Sequence, residues 1–143
     1  MRIIPDLRGS VARILAGVTV LFVEDHDDTR EAVARELVEQ GARVITAQSA
    51  QTGLLMVERE HPDVLLVDLE MPEVDGYGFL RAVRRLPPAR GGQAPAVALT
   101  AHNTPEDKRR SLLNGFRVHL AKPMTGVRLA QVLAGLLALS EGT

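Results

Sequence analysis

The 143-residue sequence has room for about one domain, and its 45% hydrophobic and 24% charged residues are typical of a chain that folds around a core. A formal net charge of -1 and only 3% aromatic residues argue against a nucleic-acid partner, which needs a basic surface or stacked rings. Without cysteine there are no disulfides or thiolate sites, which suits the cytoplasm, and no apolar run is long enough to span a membrane.

Five apolar segments with the character of buried strands alternate with helical segments along the chain. The predicted strands are residues 18–23, 43–47, 64–67, 96–99 and 118–121. The first helix is predicted from Thr29 to Gln40 by the spacing of its apolar residues, and residues 86–95 are a loop rich in Pro and Gly. The later helices are predicted to begin at the capping residues Ser49, Asp75, Thr104 and Thr125.

Five consecutive strand and helix pairs predict a parallel sheet with helices on both faces, which is a three-layer α/β sandwich. We assign this domain to residues 18–139, with a short tail at 140–143. Residues 1–17 are an N-terminal extension, either the end of a linker or a helix, and we expect no export signal because arginines interrupt its apolar positions.

Polar residues follow four of the five predicted strands. Glu24 and Asp25 follow the first strand, Asp68 the third, Thr100 the fourth and Lys122 the fifth. Ligands of parallel α/β sheets bind at the carboxyl ends of the strands, so we expect these side chains to converge. Three neighbouring carboxylates raise one another's pKa unless a cation neutralises them, and oxygen ligands suit Mg²⁺ or Mn²⁺. The sequence therefore predicts a divalent metal site.

This residue set also suits phosphoryl chemistry. A carboxylate beside a bound metal can attack an electrophilic phosphorus and form an acyl phosphate. The phosphoryl oxygens then need three partners: the metal, the Lys122 ammonium, and either the Thr100 hydroxyl or a nearby backbone N–H.

Four short motifs at the strand ends resemble those of the receiver domain of two-component response regulators. They are Glu24-Asp25, Asp68-Leu-Glu-Met-Pro72, Thr100-Ala101 and Lys122-Pro123. The resemblance covers Val18 to about Leu139. It implies a flavodoxin-like (βα)5 fold whose five parallel strands have the order 2-1-3-4-5.

The resemblance also implies a role for each site residue. Asp68 would accept phosphate from the phosphohistidine of a histidine kinase or a histidine phosphotransfer domain. Asp25, Asp68 and the backbone carbonyl of Glu70 would bind Mg²⁺, with Glu24 acting partly through water. The Lys122–Pro123 peptide would be cis. Such a receiver is not an enzyme in the ordinary sense, because it catalyses only its own phosphorylation and dephosphorylation.

One residue departs from the family pattern at the switch, and two others stand where they can tune the reaction. His119 stands where the family usually has the Tyr or Phe that moves inward when phosphate recruits the hydroxyl of Thr100, so the switch can differ. Glu70 and His102 stand two residues after Asp68 and Thr100, and our hypothesis is that they tune the lifetime of the acyl phosphate. We do not assign His26 as a metal ligand, because a single histidine is weak support for such a site.

Two other functions compete with a phosphorylated receiver. A pseudo-receiver that is never phosphorylated would act as a protein-binding scaffold, and His119 is the residue that suggests it. A phosphatase or flavin protein on the same fold is disfavoured, because Asp68-Leu-Glu70 lacks the second Asp of the phosphatase motif and the acids at 24 and 25 would repel a flavin phosphate.

The output of the domain is not visible in the sequence. The loop at 86–95, Gly115-Phe116 and residues 119–123 resemble receivers fused to hybrid sensor kinases. We expect the readout to be a downstream partner protein, a fused domain or self-association as a homodimer, since no DNA-binding domain fits after Leu139.

Overall fold

The computed structural model describes residues 13–141, with side chains through residue 139. Five strands and five α-helices alternate along this part of the chain, as predicted. Their bounds are β1 (Thr19–Val23), α1 (Asp27–Glu39), β2 (Arg43–Ala47), α2 (Ala50–Glu60), β3 (Val64–Val67), α3 (Gly76–Arg84), β4 (Ala96–Thr100), α4 (Pro105–Leu113), β5 (Val118–Ala121) and α5 (Gly126–Glu141). A short 3₁₀ turn over Pro88–Arg90 lies within the predicted loop. Among the described residues no helix is both long enough and apolar enough to cross a membrane.

The five strands form one parallel sheet in the order β2-β1-β3-β4-β5, which confirms the predicted fold. Successive strand residues point to opposite faces, so β1 to β4 each supply both hydrophobic layers, whereas β5 contributes only to the layer of α1 and α5. The layer beneath α2 and α3 includes Leu21, Val23, Leu65, Val67, Val57, Phe79, Leu80 and Val83. The layer beneath α1 and α5 includes Val20, Phe22, Val64, Leu66, Leu37, Leu129 and Leu133. Two layers of aliphatic residues therefore enclose the sheet.

All four predicted caps begin helices as expected, and Thr125 Oγ1 accepts from Arg128 N at 3.2 Å in the first turn of α5. The side chains of Ser49 and Asp75 accept hydrogen bonds from backbone N–H groups in the first turns of α2 and α3. Thr104 and Asp107 form a reciprocal capping box, in which each side chain accepts from the other residue's backbone N–H at 3.0 Å. These caps fix where each helix departs from the carboxyl edge of the sheet.

Helix α1 begins at Asp27, two residues before the predicted start at Thr29. Its N-cap His26 makes no side-chain capping bond, so the sequence carries no capping signal there. Asp27 and Asp28 instead place carboxylates in the first turn, where the positive end of the helix dipole stabilises them. At the other end of the domain, α5 continues to Glu141 and thus into the segment assigned as a tail.

A turn over residues 13–17 precedes β1 and contributes Leu15 to the hydrophobic core. Leu15 is 0% exposed and lies in the hydrophobic layer of α1 and α5. Its backbone N–H donates to the carbonyl of Gln40 at 2.9 Å, and Val18 N donates to its own carbonyl at 3.0 Å. The hydrophobic core thus reaches Leu15, upstream of the assigned boundary at residue 18, while residues 1–12 of the assigned extension lie outside the described residues.

Candidate functional site

The carboxyl edge of the sheet holds the backbone of the site residues. The parallel hydrogen-bond ladder continues one residue past the end of β1, β3 and β5. These bonds run from Glu24 N to Ala47 O (3.0 Å), Asp68 N to Val23 O (3.0 Å) and Lys122 N to Thr100 O (2.9 Å). The Lys122–Pro123 peptide that follows is cis. The first residue after each of these three strands is therefore as firmly placed as the strands themselves.

The structure brings two acids and the lysine together at this edge. The side chains of Glu24 and Asp68 are 0% and 4% exposed, and that of Lys122 is 21% exposed. The Lys122 ammonium forms an ion pair with Glu24 Oε1 and lies 3.6 Å from Asp68 Oδ2. One cation thus faces two buried carboxyl groups, which leaves an excess of negative charge.

Asp25 completes the acidic group. Its Oδ1 is buried and has no hydrogen-bond partner in the described part of the chain. Oxygens of Glu24, Asp25 and Asp68 lie within 4.8 Å of one another, together with a ring nitrogen of His26. A buried carboxylate oxygen that accepts no hydrogen bond fits a hard divalent cation, which takes oxygen ligands. The exposed His26, which we did not assign as a ligand, lies at the rim with Nδ1 3.3 Å from Asp25 Oδ1.

Burial and the neighbouring acid set the protonation of Asp68. Burial raises its pKa to about 7, reinforced by the hydrogen bond and the charge of Glu24, while the Glu70 N–H and Lys122 oppose the rise. Burial also raises the pKa of Glu24, but the hydrogen bond from Asp68 and the Lys122 ammonium outweigh it and hold that pKa below its usual range. Of the two carboxyl groups, Asp68 is therefore the one that takes up a proton more readily.

Glu70 and His102 form a bridge beside Asp68. His102 Nε2 lies 2.6 Å from Glu70 Oε1, and both side chains are about half exposed. The backbone N–H of Glu70 donates to Asp68 Oδ1 at 3.2 Å, so the residue contacts the carboxyl group directly. The two residues assigned to lifetime tuning thus lie together in the structure.

Thr100 and His119 are connected through His102. The buried Thr100 Oγ1 accepts a hydrogen bond from His102 N at 3.2 Å. His119 Nε2 lies 2.9 Å from the carbonyl of His102 and 3.1 Å from Asn103 Oδ1. His119 Nδ1 lies 2.7 Å from the hydroxyl of Ser111, a buried residue of α4. The imidazole therefore joins β5 to both the β4–α4 loop and α4.

Arg30, on the first turn of α1, was missed by the sequence analysis. Its Nη1 donates to the backbone carbonyls of Glu24 at 3.0 Å and Asp25 at 3.3 Å, and its Nη2 to Asp27 Oδ1 at 2.5 Å. The sequence pattern contains only one signal, an arginine three residues after Asp27 on a helix. Every residue has a backbone carbonyl, so a sequence does not show which of them will accept such a hydrogen bond.

Comparison with known proteins supports what the geometry indicates. The family model described as the response regulator receiver domain matches residues 20–134. The chain is 39% identical over 119 residues to an uncharacterized 14.6 kDa protein of Leptolyngbya boryana, covering 83% of this chain and 89% of that one.

Longer relatives and solved structures match the same region. Hybrid signal transduction histidine kinase D of Dictyostelium discoideum is 31% identical, and the match covers 93% of this chain but only 9% of that kinase. The receiver domain of the Pseudomonas aeruginosa sensor histidine kinase PA1611, which has a magnesium ion coordinated in its active-site cleft, matches with a TM-score of 0.77 at 29% identity. That match covers 86% of this chain and 99% of the other. The chain therefore belongs to the response regulator receiver domain family of two-component signalling.

Proposed function

We propose that Asp68 is the phospho-acceptor of this receiver and takes its phosphoryl group from a histidine kinase or a histidine phosphotransfer domain. The observation that carries the proposal is the burial of Asp68 between Glu24 and Lys122 at the carboxyl edge of the sheet. A buried carboxyl group surrounded by acids is costly for stability, and its position beside a single ammonium suits a phosphoryl group that needs counter-charges.

Mg²⁺, with Mn²⁺ as a substitute, is the cofactor that suits this site. We propose that Asp25, Asp68 and the carbonyl of Glu70 bind it directly and that Glu24 contributes partly through water. The buried Oδ1 of Asp25 supports this assignment, since it accepts no hydrogen bond in the described part of the chain and so has capacity for a cation. When bound, the metal would neutralise charge on the phosphoryl oxygens.

In the proposed transfer, a carboxylate oxygen of Asp68 attacks the phosphorus of phosphohistidine. The P–O bond forms as the P–N bond breaks, and the departing imidazole takes up a proton to become neutral histidine. The Lys122 ammonium and the Thr100 hydroxyl each bind a phosphoryl oxygen. Hydrolysis of the acyl phosphate by water regenerates Asp68, so the chain would catalyse only its own phosphorylation and dephosphorylation.

Thr100 and His119 are the proposed switch. Recruiting the Thr100 hydroxyl to phosphate would disturb its bond with His102 N, and the His102 carbonyl is in turn bonded to His119. The movement would therefore reach α4 through the hydroxyl of Ser111. Glu70 and His102 stand beside Asp68, where they would limit the approach of water and so set the lifetime of the acyl phosphate.

The first test is Mg²⁺-dependent labelling with acetyl phosphate, followed by intact mass. We expect the wild type to gain one phosphoryl group, and we expect no gain in Asp68→Ala or without Mg²⁺. Asp28→Ala is the matched control, because it removes an exposed acid of α1 and should label like the wild type.

A failure to label has a defined meaning. Beryllofluoride mimics a phosphoryl group that does not hydrolyse, so binding without labelling would indicate a short lifetime only. If the wild type neither labels nor binds beryllofluoride with Mg²⁺, the phospho-acceptor role is wrong and the pseudo-receiver scaffold replaces it.

A further inference from the structure

Arg30 makes an unusual set of contacts behind the acidic loop. Its side chain is 14% exposed, and its guanidinium donates to two consecutive backbone carbonyls, those of Glu24 and Asp25. The backbone N–H of Arg30 donates to the carbonyl of His26 at 2.9 Å, so the start of α1 and the loop before it are joined twice. The guanidinium contacts the main chain of Glu24 and Asp25, while Lys122 contacts the side chains of Glu24 and Asp68.

Hydrogen bonds to these two carbonyls restrict the backbone conformation of Asp25. One belongs to the peptide plane before Asp25 and the other to the plane after it. Since peptide units are planar, holding both planes fixes the φ and ψ angles of the residue between them. The guanidinium is a rigid planar fork, so it holds both at a defined angle. Arg30 thereby sets the direction in which the Asp25 carboxylate points.

Asp25 depends on this restraint more than the other two acids do. Glu24 is held by Lys122, and Asp68 accepts from the Glu70 N–H. The Oδ1 of Asp25 has no hydrogen-bond partner among the described residues. We propose that Arg30 is a positioning residue, which holds Asp25 ready to bind the cation by clamping the peptide planes on either side of it. This inference rests on the proposed metal site.

Charge alone predicts the opposite effect of Arg30. A guanidinium near three acids repels an incoming cation, so its removal would strengthen Mg²⁺ binding if charge were its only contribution. If Arg30 positions Asp25, its removal should weaken Mg²⁺ binding, because part of the binding free energy would then be needed to order Asp25. The sign of the change in affinity therefore separates the two roles.

The experiment is a calorimetric Mg²⁺ titration of the unphosphorylated full chain. For Arg30→Gln we expect the dissociation constant to rise about tenfold, the lower end of what residues behind metal ligands contribute. Arg30→Lys keeps the charge but lacks the planar fork, so it should also bind more weakly than the wild type. Arg35→Gln removes an exposed arginine from the same helix and should bind at least as tightly as the wild type.

A second measurement needs no metal. In EDTA, amide hydrogen exchange at Asp25 and His26 should be faster in Arg30→Gln than in Arg35→Gln, while exchange in β1 and β3 stays slow in both.

Equal or tighter Mg²⁺ binding by both folded Arg30 variants would overturn the positioning role while leaving the metal site intact. If the wild type itself binds no Mg²⁺, the proposed metal site fails and this inference fails with it. A failure of Arg30→Gln to fold leaves the decision to Arg30→Lys.

Discussion

At the scale of single residues, Asp68 combines two opposed requirements. Nucleophilic attack needs an ionised carboxylate, yet burial and Glu24 raise its pKa to about 7 in the metal-free protein. A divalent cation beside the carboxylate favours the ionised form and so reverses this effect. In the proposed transfer, binding of the metal would therefore also favour the ionised, reactive form of Asp68.

The raised pKa of Asp68 predicts how the free energy of unfolding depends on pH. A folded-state pKa raised from 3.8 to about 7 contributes stability that is complete below about pH 4 and lost as the pH rises through 7. Asp68→Asn cannot ionise but can still donate to Glu24. In EDTA at pH 8 we expect this variant to be more stable than the wild type by up to about 4 kcal/mol, because the pKa rises by about three units and each unit corresponds to about 1.4 kcal/mol.

Urea unfolding of both proteins between pH 4 and 8 measures this difference. The two free energies of unfolding should converge towards pH 4, and saturating Mg²⁺ should narrow the gap at pH 8 by stabilising the wild type. A difference in the free energy of unfolding that is the same at every pH would show that ionisation of Asp68 does not cause the pH dependence.

At the scale of secondary-structure elements, His119 connects three parts of the fold. Its Nδ1 lies 2.7 Å from the Ser111 hydroxyl, which in turn lies 3.0 Å from the carbonyl of Lys108. Its Nε2 faces two acceptors, the backbone carbonyl of His102 and the side-chain Oδ1 of Asn103, so it carries a hydrogen.

A double-mutant cycle on His119 and Ser111 tests this connection. We expect His119→Phe and Ser111→Ala each to lower the free energy of unfolding by about 1–2 kcal/mol, because each breaks a partly buried hydrogen bond. The double variant should lose less than the sum, since both changes remove the same bond. Strictly additive losses, measured by urea unfolding at pH 7, would contradict a direct bond between the two side chains.

At the scale of the whole molecule, the folding unit reaches beyond the strands and helices. Leu15 is fully buried beneath α1 and α5, although it precedes the assigned boundary at residue 18. We expect Leu15→Ala to cost about 3 kcal/mol of stability, the usual effect of emptying a buried leucine site. Leu139→Ala, at a leucine that is 69% exposed, should change stability by less than about 1 kcal/mol.

Thermal unfolding of both leucine variants gives the comparison, and a Mg²⁺ titration adds a second check. Leu15 lies among the apolar side chains of the core, away from the carboxyl edge, so Leu15→Ala should keep the wild-type affinity for Mg²⁺. Equal stability of the two variants would place residue 15 outside the folding unit.

The accuracy of the sequence-based predictions follows from the kind of interaction involved. The sheet, its order and the caps at Ser49 and Thr104 were predictable because hydrophobic periodicity and capping residues act locally. The contacts of Arg30 and the partners of His119 were not, since their acceptors are main-chain carbonyls or side chains from other elements. The burial of Leu15 was not predicted, because a single leucine in a turn shows no hydrophobic periodicity.

The hydrogen bonds that extend the sheet by one residue past β1, β3 and β5 separate the fixed part of the molecule from the part that tolerates substitution. Glu24, Asp68 and Lys122 are fastened by the same ladder that holds the core, so loosening any of them means breaking the sheet itself. The outward faces of the helices contribute nothing to that fastening. Substitutions on those outward faces can therefore reshape the surface of the helices without loosening these three residues.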